Sequence, residues 1–186
     1  MSHTASEPRR YSATTRFLHW LTAVLIIATI PIGHYMQTEG LARPTQDLLF
    51  ILHKNGGVIL FVLVVARILW RLATPSPALP ASIPGWQVRA ARFTQVALYA
   101  MLLVMATSGY IRVTAGGFPV EMLNALGVPP LVPRSEAIAT TAQTIHSYGR
   151  FVLVALIILH VGAALSHLLK RDGVFGHIWP PFGRGA

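Results

Sequence analysis

Four apolar runs dominate the chain, at residues 17–36, 48–72, 93–111 and 145–169. Each is close to the roughly 20 residues an α-helix needs to cross a hydrocarbon core. In lipid a spanning backbone must satisfy its own N–H and C=O groups, so such runs are held to helices. With 53% of its 186 residues hydrophobic and only 11% charged, the chain departs from the composition of a soluble domain. The expectation is an all-α integral membrane protein, a four-helix transmembrane bundle. The first run exceeds the apolar core of a secretory leader, about 7 to 15 residues, and no small-residue cleavage site follows it, so it is expected to stay as a helix.

The formal charge of +9 raises the question of nucleic acid. The basic residues, however, collect between the runs instead of along one face, and no nucleic-acid partner is expected. If the spans alternate, Arg9, Arg10, Arg16, Arg67, Arg71, Arg89, Arg92, Lys170, Arg171 and Arg184 fall on one side. The other side receives Arg43, Lys54, Arg112, Arg134 and Arg150, diluted by Glu39, Asp47, Glu121 and Glu136. The excess of Lys and Arg then predicts that both termini face the cytoplasm. The expected organisation is a cytoplasmic tail at 1–11, a bundle at 12–172 with spans about 14–36, 48–72, 89–112 and 141–169, and a second cytoplasmic tail at 173–186.

Between the runs the punctuation is clear. Ser12 or Thr14 can cap the first span, and Pro31 is expected to kink it. Gly56 and Gly57 in the second span leave room for a neighbouring helix or a flat ligand. The third span holds no histidine and reads as a wall of the bundle. The outer loop that follows it, residues 114–135, is rich in Gly and Pro, has room for a short helix over 120–126, and is expected to cover an outer site.

Histidines carry the chemistry. His146 and His160 are 14 residues apart in the fourth span, just under four turns, so they share a face and are separated by roughly 21 Å. Alternating topology puts His19 at the depth of His160, near the inner side, and His53 at the depth of His146, near the outer side. Two facing imidazoles at one depth are what bis-histidine ligation of a haem iron requires. A lone histidine near a membrane edge is ordinarily just an interfacial polar residue. Four at matched depths are harder to read that way. His34 and His167 also lie close to these faces, and spacing alone leaves both open as rivals. The chain has no cysteine, which excludes thiolate ligation and c-type attachment, so any haem is held non-covalently.

The segments Arg16-Phe17-Leu18-His19-Trp20-Leu21, His53-Lys54-Asn55-Gly56, Arg67-Ile68-Leu69-Trp70-Arg71 and Ser108-Gly109-Tyr110 resemble those of the prokaryotic cytochrome b561 family. So does the stretch from His146 through His160 and Ala163-Ala164-Leu165-Ser166-His167 to Asp172-Gly173. The resemblance runs from about residue 11 to 180. It implies a di-haem, four-helix protein of the bacterial inner membrane, with His19, His53, His146 and His160 as axial ligands to two haems b. It places His34 outside the ligand pattern and His167 at a position after the ligand. Gln95 stands where relatives often carry histidine, and Gly176-His177 where they are often more basic.

An iron with both axial positions filled is suited to outer-sphere electron transfer. The resemblance implies superoxide oxidation at the outer side, with ubiquinone reduced to ubiquinol. Lys54 and Arg150 are the candidates for steering an anion to the outer pair, with Arg112 and Arg134 able to widen the funnel. Arg16, Arg67 and Arg71 are candidate partners of haem propionates or lipid headgroups on the inner side. The alternative is an electron relay between a redox partner protein and the quinone pool, without superoxide activity. A transporter is disfavoured, because no Asp or Glu lies within a span.

Overall fold

The computed structural model describes residues 10–181. The tail positions before and after that range, with Arg9 and Arg184, lie outside the described residues. Helix α1, Ala13–Tyr35, starts at Ser12, whose hydroxyl accepts the Thr15 N–H at 3.2 Å. It continues as helix through Pro31. Helix α2, Arg43–Ala73, begins with a proline in its first turn, where a missing N–H leaves nothing unpaired. Helix α3 spans Gly85–Ala115, and the short α4 spans Glu121–Ala125 inside the outer loop. Helix α5, Glu136–Lys170, is capped by Ser135 and stopped by Arg171 in a left-handed conformation (φ 53°). A single 3₁₀ turn, Phe175–His177, follows.

The helices α1, α2, α3 and α5 are long and apolar enough to cross a membrane. They outrun the apolar runs: α2 starts at Arg43 instead of near 48, and α5 at Glu136 instead of near 141. Hydropathy ends where polar side chains begin. The backbone hydrogen bonds continue through another turn of polar sequence, where side chains such as Arg43 and Asp47 pair at 3.2 Å in the open.

Packing is uneven, and this positions the site. Helix α3 lies against both α2 and α5, and α1 packs on α2. One buried residue from each of α2, α3 and α5, namely Val64, Leu102 and Leu153, makes the small core. Gly149 of α5 sharpens the α3 contact, because a Cβ there would meet Met105 Sδ at 2.8 Å. By contrast, no Cα of α1 or α2 comes within 8 Å of α5. The bundle is therefore a row of helices with a seam between α1 and α5, bridged by side chains.

The first and last described segments meet on one side. The Tyr11 N–H donates to His177 O and the Trp20 indole to Ile178 O, each at 3.1 Å. Trp179 sits edge-on to Trp20 and stacks with Phe175. The 172–181 segment thus lies across the end of the bundle that carries His19.

Candidate functional site

The histidines meet across the seam. His53 of α2 faces His146 of α5 with ring centroids 6.1 Å apart and planes at 88°. Thr29 O lies 3.1 Å from His53 Nδ1, and Met105 O lies 3.0 Å from His146 Nδ1. A carbonyl only accepts, so both Nδ1 atoms carry the proton and both Nε2 lone pairs are left for a metal. Ser108 Oγ is a further neighbour of His146 Nδ1 at 3.3 Å. Two glycines make room for these rings. A side chain on Gly33 would overlap the His53 imidazole, and one on Gly109 would meet His146 Cε1 at 3.0 Å.

At the other end His19 of α1 faces His160 of α5, again with centroids 6.1 Å apart, with planes at 68°. The Arg67 guanidinium donates to His19 Nδ1 at 3.1 Å and lies over the Tyr99 ring at 5.3 Å. Arg16, one turn before His19, is fully buried. Arg71 lies farther out, over the Tyr11 ring at 5.4 Å. Neither rival faces a second histidine among the described residues. His34 is exposed at the end of α1, and His167 Nδ1 is 2.6 Å from Asp172 Oδ2.

Each pair offers two imidazoles and nothing more. Among the described residues there is no group of three or more His, Cys, Asp or Glu that could hold a metal ion. A metal held here must bring its other ligands with it, as a macrocycle does. The spacing agrees: a metal–imidazole bond of about 2 Å on each side, plus the two half-rings, comes to about 6 Å between centroids. The seam between α5 and its partners α1 and α2 leaves a passage free of backbone for a flat group. The residues present fit a haem.

A prokaryotic cytochrome b561 family profile matches residues 10–181. The chain belongs to the prokaryotic cytochrome b561 family. It is 32% identical to cytochrome b561 homolog 2 of Escherichia coli strain K12 over 165 residues, covering 86% of this chain and 85% of the relative. It is 26% identical to cytochrome b561 homolog 1 of the same strain over 172 residues, covering 92% and 97%. This b561 chain is accordingly a haem b-binding electron-transfer protein of the bacterial inner membrane.

The charges around the outer pair are not equal. In this b561 protein Lys54, next to His53, is 14% exposed and bound on two sides: its ammonium donates to Pro119 O at 2.8 Å and pairs with Glu121 Oε1 at 2.5 Å. Arg112 is close enough to act on both outer rings, and Arg150 on His146. Arg150 itself is exposed, its guanidinium 4.7 Å from the Phe151 ring centre. Arg134 lies flat over Gly117, whose φ of +82° and missing side chain admit it.

Sequence reasoning missed the Lys54–Glu121 pair, the glycines behind the imidazoles and the guanidinium on His19. Arg67 and His19 are 48 residues apart, and Lys54 and Glu121 are 67 apart. No local pattern links either pair. Gly109 stood within a family segment, but its use against His146 appears only when α3 is laid on α5.

Beyond α5, Asp172 has its own environment. Burial pushes its carboxyl up, but hydrogen bonds from His167 and the Val174 N–H, with the nearby charges of His167 and Lys170, outweigh that and hold it below the usual range. His177, 4% exposed, is pushed down by burial.

Proposed function

We propose that this b561 protein holds two haems b, one between His53 and His146 and one between His19 and His160, and passes electrons through the membrane between them. Bound there, haem supplies reversible one-electron transfer at an iron with no open coordination position. The observation that carries this reading is the repeated 6.1 Å spacing of two imidazole pairs at two depths on one shared helix. Thr29 O and Met105 O fix the outer rings in the tautomer that presents Nε2. Arg67 keeps a positive charge at the inner site; because its donation to Nδ1 puts the proton of neutral His19 on Nε2, holding iron through Nε2 would move Arg67 off Nδ1. The excess of basic residues on the side of the chain ends supports a cytoplasmic location for both termini.

Superoxide is the proposed outer donor and ubiquinone the acceptor. Two superoxide anions give up one electron each and leave as oxygen, while ubiquinone takes two electrons and two protons to become ubiquinol. Arg150 and Arg112 provide a positive field at the outer mouth that favours an anionic substrate. Lys54 contributes there only as far as Glu121 leaves its charge uncancelled.

One observation favours a second reading, an electron relay that serves a redox partner protein. A cation expected to steer superoxide is already paired with a carboxylate. The test is to add superoxide to the purified haem-loaded protein and follow the haem spectrum with and without ubiquinone. Rapid reduction followed by quinone-dependent reoxidation supports the superoxide:ubiquinone reading. Two low-spin haems that superoxide leaves oxidised favour the relay.

A further inference from the structure

The outer loop is fastened to two different parts of the bundle. To α3 and α5 it is tied by its own roots, through Phe118 N–H to Val113 O at 2.9 Å, Leu131 N–H to Tyr110 Oη at 2.9 Å and Ser135 N–H to Ala115 O at 3.0 Å. To α2, among the described residues, the polar ties come from Lys54 and Asn55, which directly follow His53. Lys54 binds Pro119 O and Glu121, and Asn55 Oδ1 accepts the Met122 N–H at 3.1 Å. Both land on the first turn of α4. A five-residue helix cannot persist by its own hydrogen bonds, because nucleation is costly and there is almost no propagation to offset it. Its order depends on these ties.

The pair also has an electrostatic effect. Glu121 is the acidic residue that neutralises the cation beside His53, and its second oxygen, Oε2, is buried with no hydrogen-bond partner. The ammonium and the carboxylate cancel at the mouth of the outer site, leaving the field there to Arg112 and Arg150.

We propose that Glu121 is a specificity-determining residue of the outer site: through Lys54 it pins the α4 roof to the turn of α2 that carries His53, and it cancels the charge that would draw small anions there. The assignment rests on the outer pair being the outer redox site. Outer reductants are thereby selected by closure and by a reduced positive field, not by charge attraction at Lys54.

The experiment uses the full haem-loaded protein in lipid nanodiscs, as wild type, Glu121→Gln, and the exchanged pair Lys54→Glu/Glu121→Lys. Amide hydrogen exchange over 118–126 reads the pinning. The rate of haem reduction by superoxide at low and high salt reads the charge. In Glu121→Gln the α4 amides should exchange at least roughly tenfold faster. The superoxide rate should rise roughly two- to five-fold at low salt and return to the wild-type value at high salt. The exchanged pair, which remakes the ion pair but cannot donate to Pro119 O, should restore part of the amide protection. Unchanged exchange in Glu121→Gln, or a rise in rate that survives high salt, overturns the proposal. If superoxide leaves even the wild type oxidised, the superoxide reading has failed, and the hydrogen-exchange comparison with its charge-swap rescue still decides the role of Glu121.

Discussion

Gly33 of α1 lies directly against the His53 imidazole of α2, so close that a methyl group on Gly33 would occupy ring atoms. Gly109 of α3 stands in the same relation to His146. The outer rings are thus held from behind by bare backbone and from the side by carbonyl oxygens. Gly33→Ala should displace His53 and remove about half of the bound haem, since its neighbour is a ring packed between helices and not the end of a flexible chain. Gly162→Ala, on an exposed face of α5 with nothing within 4 Å of a new Cβ, should keep full haem content. Haem per protein, measured as the pyridine haemochrome, reads both.

The proposed ligand pairing predicts a clean split among the histidines. His160→Ala should abolish one low-spin haem signal and leave the other, whereas His34→Ala should leave both. Electron paramagnetic resonance of the oxidised protein distinguishes the two. A His34 variant with half the haem would overturn the pairing.

Arg67 is a cation at the inner pair, within hydrogen-bond reach of His19. A positive charge beside a redox centre favours the reduced, less positive state. Arg67→Met should therefore lower one of the two midpoint potentials by on the order of 50 mV and leave the other nearly unchanged. Arg67→Lys should recover part of the shift. Potentiometric titration of the purified variants reads this directly.

His177 predicts a response to acid at the chain end. Its folded-state pKa lies below the ordinary histidine value because it is buried. The neutral ring is thus favoured in the folded segment, and the unfolded segment takes up the proton first. The contribution of His177 is complete above about 6.5 and is lost as pH falls below that value. Asp172, also held below its ordinary value, adds a second loss only near and below about 4, as its carboxylate protonates. Tryptophan fluorescence from Trp20 and Trp179 should report a loosening that begins below about pH 6.5 in wild type and is delayed in His177→Gln.

The membrane class and the facing of His53 to His146 and of His19 to His160 were legible because both follow from period and length. Fourteen residues on a helix fix a face and a rise, and runs of about 20 apolar residues fix spans. A cap at Ser12, one of the two candidates, and the short α4 near 120–126 were legible for similar local reasons. The helix ends were not, since Arg43 and Glu136 continue helices into polar sequence that hydropathy cannot distinguish from loop. The partner of Lys54 was not legible from its position beside His53. Its neutralising partner comes from a loop that folds back over the bundle, and nothing within a few residues of either one announces the other.

The seam between α1 and α5 has a consequence for assembly. Where backbones do not touch, the α1–α5 side of the bundle is closed by side chains such as His19 and His160 alone, and a group bound between them would become part of that side. A cofactor arriving laterally through the bilayer would meet an opening already facing it. Binding a flat group there would then close the last side of the bundle.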